Sequence, residues 1–336
     1  MLQRKLSELS NVSAARFLEE IVPGYVPVVL RGISQDWPLV AASVQSDEAA
    51  VQYLLGFDRG AAAEAFVGTA AIKGRFFYAG DMHGFNFERR KGSFADLLRY
   101  LLAIKGRADA PSVYAGAVET RGALPGLAEA NPLPLLEHAD ADPRIWIGNA
   151  STISSHFDAS DNVAVVAAGR RRFTLFPPDQ VHNLYVGPLD HTMAGQPASM
   201  VDLNNPDFER YPRFREALDH ALVAELDPGD AIYIPALWWH QVDALSPFNV
   251  LVNYWWADSP DMAARFDAMV HAVLTVSHLP ENRRAAWRAM FDTFVFKQHG
   301  EPAAHLSEEH RSVLGAPTPR LREYIKGYLM RGLRRS

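Results

Sequence analysis

Residues 153–169 read ISSHFDASDNVAVVAAG, an alternating run that is typical of a β-strand. In an extended chain the side chains at positions i and i+2 point to the same side. His156 and Asp158 therefore share one face of the predicted strand, and Phe157 points to the other face. An imidazole and a carboxylate on one face are suited to bind a metal ion.

Short β-rich runs separated by turn residues surround this stretch, from about residue 112 to residue 257. They read SVYAGAVE, RIWIGNAS, RRFTLFPP, DPGDAIYIPALWWHQV and NVLVNYWWA. Several short strands at this spacing indicate a barrel or a jelly roll. The run YIPALWWH ends with His240, a third candidate ligand. Two histidines and one carboxylate on neighbouring strands form the facial triad that suits non-haem Fe(II).

A histidine–x–aspartate triplet is weak evidence on its own, because a chain with 12 histidines is expected to contain one by chance. His138 and Asp140 have the same spacing, but the clustered prolines and acids of NPLPLLEHADADPR favour a loop there. In the alternative interpretation, His156 and His240 are hydrogen-bonded core histidines and Asp158 is a turn or cap residue. The triplet by itself leaves both interpretations open.

The composition is that of an ordinary globular chain, with 336 residues, of which 48% are hydrophobic and 21% are charged. The chain is acidic overall, with a formal charge of −6, so no nucleic-acid partner is expected. The absence of cysteine excludes disulfides, thiolate metal ligands and cysteine nucleophiles. Neither a signal peptide nor a long apolar run occurs, so a cytoplasmic location without membrane contact is expected.

Changes of pattern along the chain predict three regions: an N-terminal wrapping segment at 1–110, a catalytic barrel at 111–258 and a helical region at 259–336. Broad apolar stripes recur with helical spacing in the last region and must be buried against something. The stripes are Phe266, Met269, Val270, Val273 and Leu274; Trp287, Met290, Phe291, Phe294 and Val295; and Leu321, Tyr324, Ile325, Tyr328 and Leu329. Packing against the barrel and a homodimer interface are the two alternatives.

Several longer sequence motifs occur in a characteristic order along the chain. They are HFD at 156–158 followed by DN at 161–162, GRRRFTLFPPDQ at 169–180, VDLNNPDFERYPRF at 201–214, PGDAIYIPALWWH at 228–240 and VNYWW at 252–256. From Val26 through Trp256 the chain resembles the JmjC or cupin-like family of Fe(II)- and 2-oxoglutarate-dependent oxygenases. It is most similar to the branch of the asparaginyl hydroxylase called factor inhibiting HIF.

The resemblance implies a mainly β fold with α-helices. The core would be a double-stranded β-helix, which is a jelly roll of the cupin/JmjC type, with flanking N-terminal helices and a C-terminal helical extension. Because that branch dimerises through its C-terminal helices, a homodimer through residues 259–336 is the expected assembly.

The resemblance also assigns roles to single residues. His156, Asp158 and His240 fall on the catalytic metal ligands. Two further residues, Tyr114 and Arg171, fall on those that hold the distal carboxylate of 2-oxoglutarate. At the position of Arg171 that branch has a lysine.

Asn162 and Asn253 fall on amides near the metal-chelating end of this co-substrate. Ile153 is a departure, because that branch has a threonine there that binds the distal carboxylate. Thr152 or Ser154 would have to compensate, and the sequence does not choose between them.

The implied reaction uses Fe(II), 2-oxoglutarate and O₂ to hydroxylate a substrate C–H bond, with succinate and CO₂ as co-products. A protein or peptide side chain is the substrate that the branch suggests. The alternatives are the same chemistry on a small molecule and a catalytically silent, metal-binding cupin-like module.

Overall fold

The computed structural model describes residues 4–137, 139, 141–257 and 262–334. His138 and Asp140, the second pair with the histidine–x–aspartate spacing, lie outside the described residues. The chain divides into two compact units, residues 1–262 and residues 263–336. Within the described part of the chain, every strand belongs to the first unit.

The strands of the first unit are short. Their bounds are β1 Arg4–Lys5, β2 Glu8–Ser10, β3 Val28–Arg31, β4 Ala62–Gly68, β5 Arg75–Phe76, β6 Glu88–Ser93, β7 Ser112–Glu119, β8 Asp142–Gly148, β9 Ser151–His156, β10 Asp161–Ala168, β11 Arg171–Phe176, β12 Leu222–Leu226, β13 Ala231–Ile234, β14 Trp239–Ala244 and β15 Asn249–Trp256.

These strands form two sheets. The six-stranded sheet has the order β1-β12-β11-β14-β9-β5, and the nine-stranded sheet has the order β2-β3-β13-β10-β15-β8-β7-β4-β6. Side chains of both sheets meet in one hydrophobic cluster, where Phe173 and Leu175 of β11 join Val166 of β10. The predicted jelly roll with additional helices is confirmed.

Strand β10 shows why the sequence of this region contains an almost continuous apolar run. Val163 and Val165 belong to one hydrophobic cluster, whereas Ala164 and Val166 belong to another. A strand that is covered on both faces needs apolar residues at successive positions rather than a polar residue at every second one. The run NVAVVAA therefore forms the centre of the nine-stranded sheet between β13 and β15.

Helices of several lengths accompany the sheets. In the first unit they are Ala14–Arg16, the π-helix Phe17–Ile21, Val22–Gly24, Pro38–Gln45, Asp47–Leu55, the 3₁₀-helix Ala70–Ile72, Phe94–Ile104, Thr120–Ala123, Leu127–Ala130, the 3₁₀-helices Pro134–Leu136 and Pro178–Asn183, and Phe214–Asp219.

The helix Phe94–Ile104 begins at a serine cap. The Ser93 hydroxyl accepts a hydrogen bond from the Asp96 backbone N–H at 3.0 Å, which satisfies one of the free donors of the first turn. Leu98 and Leu101 lie on its buried face and join the larger hydrophobic cluster. Burial of this face holds the helix against the nine-stranded sheet, which contributes Ala63 and Ala65 of β4 to the same cluster.

The second unit is helical. Its helices are Met262–Thr275, of which only the first residue belongs to the first unit, Glu281–Phe294, Pro319–Leu333 and the 3₁₀-helices Glu308–His310 and Ser312–Leu314. Large apolar side chains stay exposed on these helices, for example Tyr328 at 60% and Leu274 at 63%. Among the residues described, none of the helices is long and apolar enough to cross a membrane.

Candidate functional site

His156 and His240 lie opposite each other on neighbouring strands. They are paired in the antiparallel register of β9 and β14, and their ring centroids are 4.4 Å apart. Asp158 follows β9, and its Oδ2 lies 3.7 Å from the His240 Nε2. One ligating atom from each of the three residues lies within 4.8 Å of the other two. This cluster is compact enough for one ion to reach all three side chains.

Backbone carbonyls orient both imidazoles. The His156 Nδ1 lies 2.9 Å from the Ser154 carbonyl, and the His240 Nδ1 lies 3.0 Å from the Trp238 carbonyl. A carbonyl oxygen only accepts hydrogen bonds, so each Nδ1 is the donor and each Nε2 keeps a free lone pair. Burial lowers the pKa of His240 to about 4. Its imidazole is therefore neutral at physiological pH, as metal ligation requires.

A cavity of about 570 Å³ contains this cluster. Tyr114, Asn162, Arg171 and Asn253, the other four residues that the sequence predicts for the site, also line it. The structure therefore brings all seven predicted residues together, although they come from six strands and one loop.

Arg171 is a buried cation in the wall of this cavity. Its exposure is only 3%, and its Nε has no hydrogen-bond partner. No carboxylate of the described residues forms an ion pair with it, whereas its neighbour Arg172 lies on the other face and pairs with Glu225 at 2.6 Å. Burial lowers the pKa of Arg171 to about 10, which still leaves the guanidinium charged at neutral pH. A buried unpaired charge is costly, so this position favours an anionic ligand.

Tyr114 of β7 lines the same cavity and is 8% exposed. Burial raises the pKa of its phenol, and the nearby Arg171 lowers it to a smaller extent. The hydroxyl therefore stays protonated and can donate a hydrogen bond to an anion held by Arg171.

Asn162 and Asn253 are connected to each other. The Asn253 Nδ2 donates to the Asn162 Oδ1 at 3.4 Å, and the Trp146 Nε1 donates to the Asn253 Oδ1 at 2.6 Å. Because these bonds fix the Asn253 amide, the pair has a structural role whether or not a ligand binds.

A β-bulge in β9 changes which residues face the cavity. His240 lies opposite His156 but Val242 lies opposite Ile153, so two steps along β14 match three steps along β9. Such an insertion turns the extra residue out of the regular alternation. Ile153 consequently lines the cavity together with His156, although the two are three residues apart.

The bulge also separates Thr152 from Ser154. The Thr152 hydroxyl hydrogen-bonds to the Asp243 carboxylate at 2.7 Å, and Thr152 is not part of the cavity wall. Ser154 lines the cavity, is 2% exposed and has a buried Oγ that finds no hydrogen-bond partner in the part of the chain that the structure describes. Of the two residues that the sequence leaves open, only Ser154 is positioned to contact a ligand.

The rim of the cavity, which we define as Glu64, Arg89 and residues 193–196, was not predicted from the sequence. Arg89 connects it: Nη1 donates to the Glu64 Oε1 at 2.9 Å, and Nη2 donates to the Met193 carbonyl at 2.6 Å. Its guanidinium also lies 4.7 Å from the centroid of the Phe66 ring. These residues are distant in sequence and carry no motif, so no local signal identifies them.

Residues 14–262 match the cupin-like domain family. Human HSPB1-associated protein 1 is 32% identical over 147 residues, which are 42% of this chain and 30% of that protein. Lysine-specific demethylase JMJ31 of Arabidopsis thaliana is 37% identical over 112 residues, which are 33% of this chain and 20% of that protein. tRNA wybutosine-synthesizing protein 5 of Gallus gallus is 35% identical over 106 residues, which are 32% of this chain and 30% of that protein.

The matched stretches thus cover less than a third of the length of these relatives. Similarity to the branch of factor inhibiting HIF stays a prediction. The match to the family spans most of the chain and includes the strands β3 to β15 and the His/Asp/His cluster. The chain therefore belongs to the cupin-like domain family, and its relatives include JmjC proteins.

Proposed function

We propose that this protein is an Fe(II)- and 2-oxoglutarate-dependent oxygenase that hydroxylates a C–H bond of a protein side chain. The observation that carries the proposal is the buried Arg171 guanidinium, which has no ion-pair partner among the described residues and lines the same cavity as the His/Asp/His cluster. A metal-binding module without a co-substrate would have no use for such a cation. An anionic ligand that also reaches the metal would contact both Arg171 and the ion held by the His/Asp/His cluster.

The residues fit the proposed metal and co-substrate in chemistry and in charge. His156, Asp158 and His240 would hold Fe(II) as two neutral nitrogens and one carboxylate, a donor set typical of non-haem iron. The ion and Asp158 together leave one positive charge, and Arg171 supplies a second. The two carboxylates of 2-oxoglutarate match these two charges, and the hydroxyls of Tyr114 and Ser154 in the same cavity wall are further hydrogen-bond donors.

When bound, the metal and the keto acid supply the oxidation: one oxygen atom of O₂ enters the substrate C–H bond as a hydroxyl group, and the other enters succinate as CO₂ is released. The protein supplies orientation and excludes water. Phe173, Val242 and Leu251 give the cavity apolar walls beside the cluster. Such walls strengthen electrostatic contacts inside the cavity and limit side reactions with water.

The helical unit at 263–336 is proposed to form a homodimer interface. Its exposed apolar side chains, such as Trp287 at 47% and Tyr328 at 60%, are more than a free surface normally carries. A two-fold contact would cover the same surface on both subunits.

Anaerobic reconstitution with Fe(II), followed by addition of O₂ and 2-oxoglutarate, tests the proposed function. We expect formation of succinate that requires both Fe(II) and O₂ and that is lost in His156→Ala. A folded, Fe(II)-loaded protein that neither binds 2-oxoglutarate nor forms succinate would contradict the proposal and favour the silent metal-binding module.

A further inference from the structure

Three side chains of the cavity wall form a short chain of hydrogen bonds. The Trp146 Nε1 donates to the Asn253 Oδ1 at 2.6 Å, and the Asn253 Nδ2 donates to the Asn162 Oδ1 at 3.4 Å. The first bond is short and the second is long, so the indole is the stronger partner of the Asn253 amide. All three residues line the cavity that contains the His/Asp/His cluster.

The indole determines the direction of this chain. The two ends of a side-chain amide have nearly the same shape, so hydrogen bonds decide which end points where. An indole N–H can only donate, and it therefore requires the oxygen of Asn253. The Asn253 nitrogen then donates to the Asn162 oxygen. Within the part of the chain that the structure describes, the Asn162 nitrogen donates no hydrogen bond, so its N–H groups stay available to a ligand in the cavity.

Close packing holds Trp146 in place. Its ring stacks on Tyr114 at a centroid distance of 5.9 Å and meets Trp255 edge to face at 5.6 Å. Gly116 of β7 leaves room for the indole, because a Cβ atom there would lie 2.6 Å from the Trp146 Cζ3. The next residue, Ala117, has a φ of 52°, and the pairing of β7 with β8 shifts register at this point. A left-handed alanine costs free energy, and such strain is commonly found beside functional sites.

An anion in the cavity is stabilised by amide N–H groups and repelled by amide oxygens. We propose that Trp146 is a positioning residue: its indole N–H fixes the direction of the Asn253 and Asn162 amides, so that N–H groups are presented to the anionic co-substrate. This inference rests on the proposed function, since it concerns the co-substrate of the same cavity. Without the indole N–H, the Asn253 amide can rotate and turn its oxygen toward the anion.

The decisive variant is Trp146→Phe, which keeps an aromatic ring and removes the N–H group. Calorimetric titration of 2-oxoglutarate into the Mn(II)-loaded protein without O₂ measures the affinity. We expect roughly 10-fold weaker binding, the range of one hydrogen bond to a charged group. The Mn(II) content should equal that of the parent, because none of the three metal-ligand candidates is changed.

Trp37→Phe is the matched control. The Trp37 Nε1 donates to the Pro132 carbonyl at 2.7 Å, and Trp37 lies outside the wall of this cavity. The control removes a hydrogen bond of similar length from another buried indole. Denaturant unfolding should therefore show a similar loss of stability in both variants, whereas Trp37→Phe should bind 2-oxoglutarate with the affinity of the parent.

A double-mutant cycle with Asn253→Ala separates positioning from simple packing. If Trp146 acts through the Asn253 amide, Trp146→Phe should weaken binding by less than about 2-fold in the Asn253→Ala background. Gly116→Ala adds a methyl group that displaces the indole, so it should give the same pattern in the two backgrounds. It takes the place of Trp146→Phe in the cycle if that variant does not fold.

Two results would overturn the role of Trp146: a Trp146→Phe protein with the affinity of the parent, or an equal loss of affinity with and without the Asn253 amide. Both require a parent that binds 2-oxoglutarate, so they leave the proposed function intact. An Mn(II)-loaded parent that does not bind 2-oxoglutarate at all would contradict the proposed function, and this inference with it.

Discussion

Replacing Arg171 with methionine is expected to stabilise the ligand-free protein and to weaken 2-oxoglutarate binding at the same time. Arg171 is 3% exposed and its Nε has no hydrogen-bond partner. Burial lowers the pKa of its guanidinium to about 10, and this shift corresponds to a penalty of about 3 kcal/mol for the charged form. Methionine is unbranched, apolar and adaptable, so it can fill the space without a charge.

The substitution should stabilise the ligand-free protein and weaken 2-oxoglutarate binding, and the size of each effect follows from the burial of the charge. Removing the buried charge should raise the free energy of unfolding of the ligand-free protein by about 1–3 kcal/mol. Removing the partner of the co-substrate carboxylate should weaken binding by about 2–4 kcal/mol, or roughly 30- to 1000-fold in Kd. Functional sites commonly show this trade-off between stability and activity.

Denaturant unfolding of the metal-free protein measures the first effect, and calorimetric titration of 2-oxoglutarate into the Mn(II)-loaded protein without O₂ measures the second. Arg172→Met is the matched control, since Arg172 is on the same strand but pairs with Glu225 at the surface. It should change stability by less than about 1 kcal/mol and leave binding unaffected. A less stable Arg171→Met protein with the affinity of the parent would refute the reasoning, because Arg171 would then be a structural cation.

Three further predictions concern the metal, pH and assembly. His156→Ala should purify with little divalent metal by elemental analysis, whereas His138→Ala should keep the metal content of the parent; the reverse would exclude the assigned cluster. Burial lowers the pKa of His240 from 6.5 to about 4. Between these two pH values the imidazole is therefore protonated in the unfolded chain and neutral in the native state. The free energy of unfolding of the metal-free protein should therefore fall by about 3 kcal/mol as the pH drops from 6.5 to about 4, and denaturant unfolding of His240→Gln should lack this component. Light scattering should give twice the 37.3 kDa chain mass for the parent and a single chain for Tyr328→Asp, and a monomeric parent would exclude the dimer.

The sequence predicts the jelly roll because it contains several short β-rich runs that are separated by turn residues. It also identifies His156 and Asp158 from their shared strand face and His240 from the end of a neighbouring run. The two histidines meet because β9 and β14 pair in one particular register, which the resemblance implies but alternation alone does not determine.

The details of the pocket wall could not be predicted in the same way. Regular alternation along β9 would separate Ile153 from His156, and the bulge brings them to the same cavity. For the same reason the sequence alone does not choose between Thr152 and Ser154. Glu64 and Arg89 reach the rim through the pairing of β4 with β6, and their contact with Met193 joins segments that are distant in sequence. Such contacts depend on tertiary packing and leave no local pattern.

The pairing of β1 with β12 also determines when the protein can fold during its synthesis. Arg4 and Lys5 pair in parallel with Leu222 and Val223, so β1 stays unpaired in this sheet until β12 has been synthesised. Contacts of such long sequence separation form slowly, and until they form the sheets present open edges to other chains. His156 likewise lacks His240, the residue opposite it, until β14 has been translated. The metal cluster is therefore assembled only after nearly the whole first unit has been synthesised, and nascent chains that stall before β14 have no complete site to load.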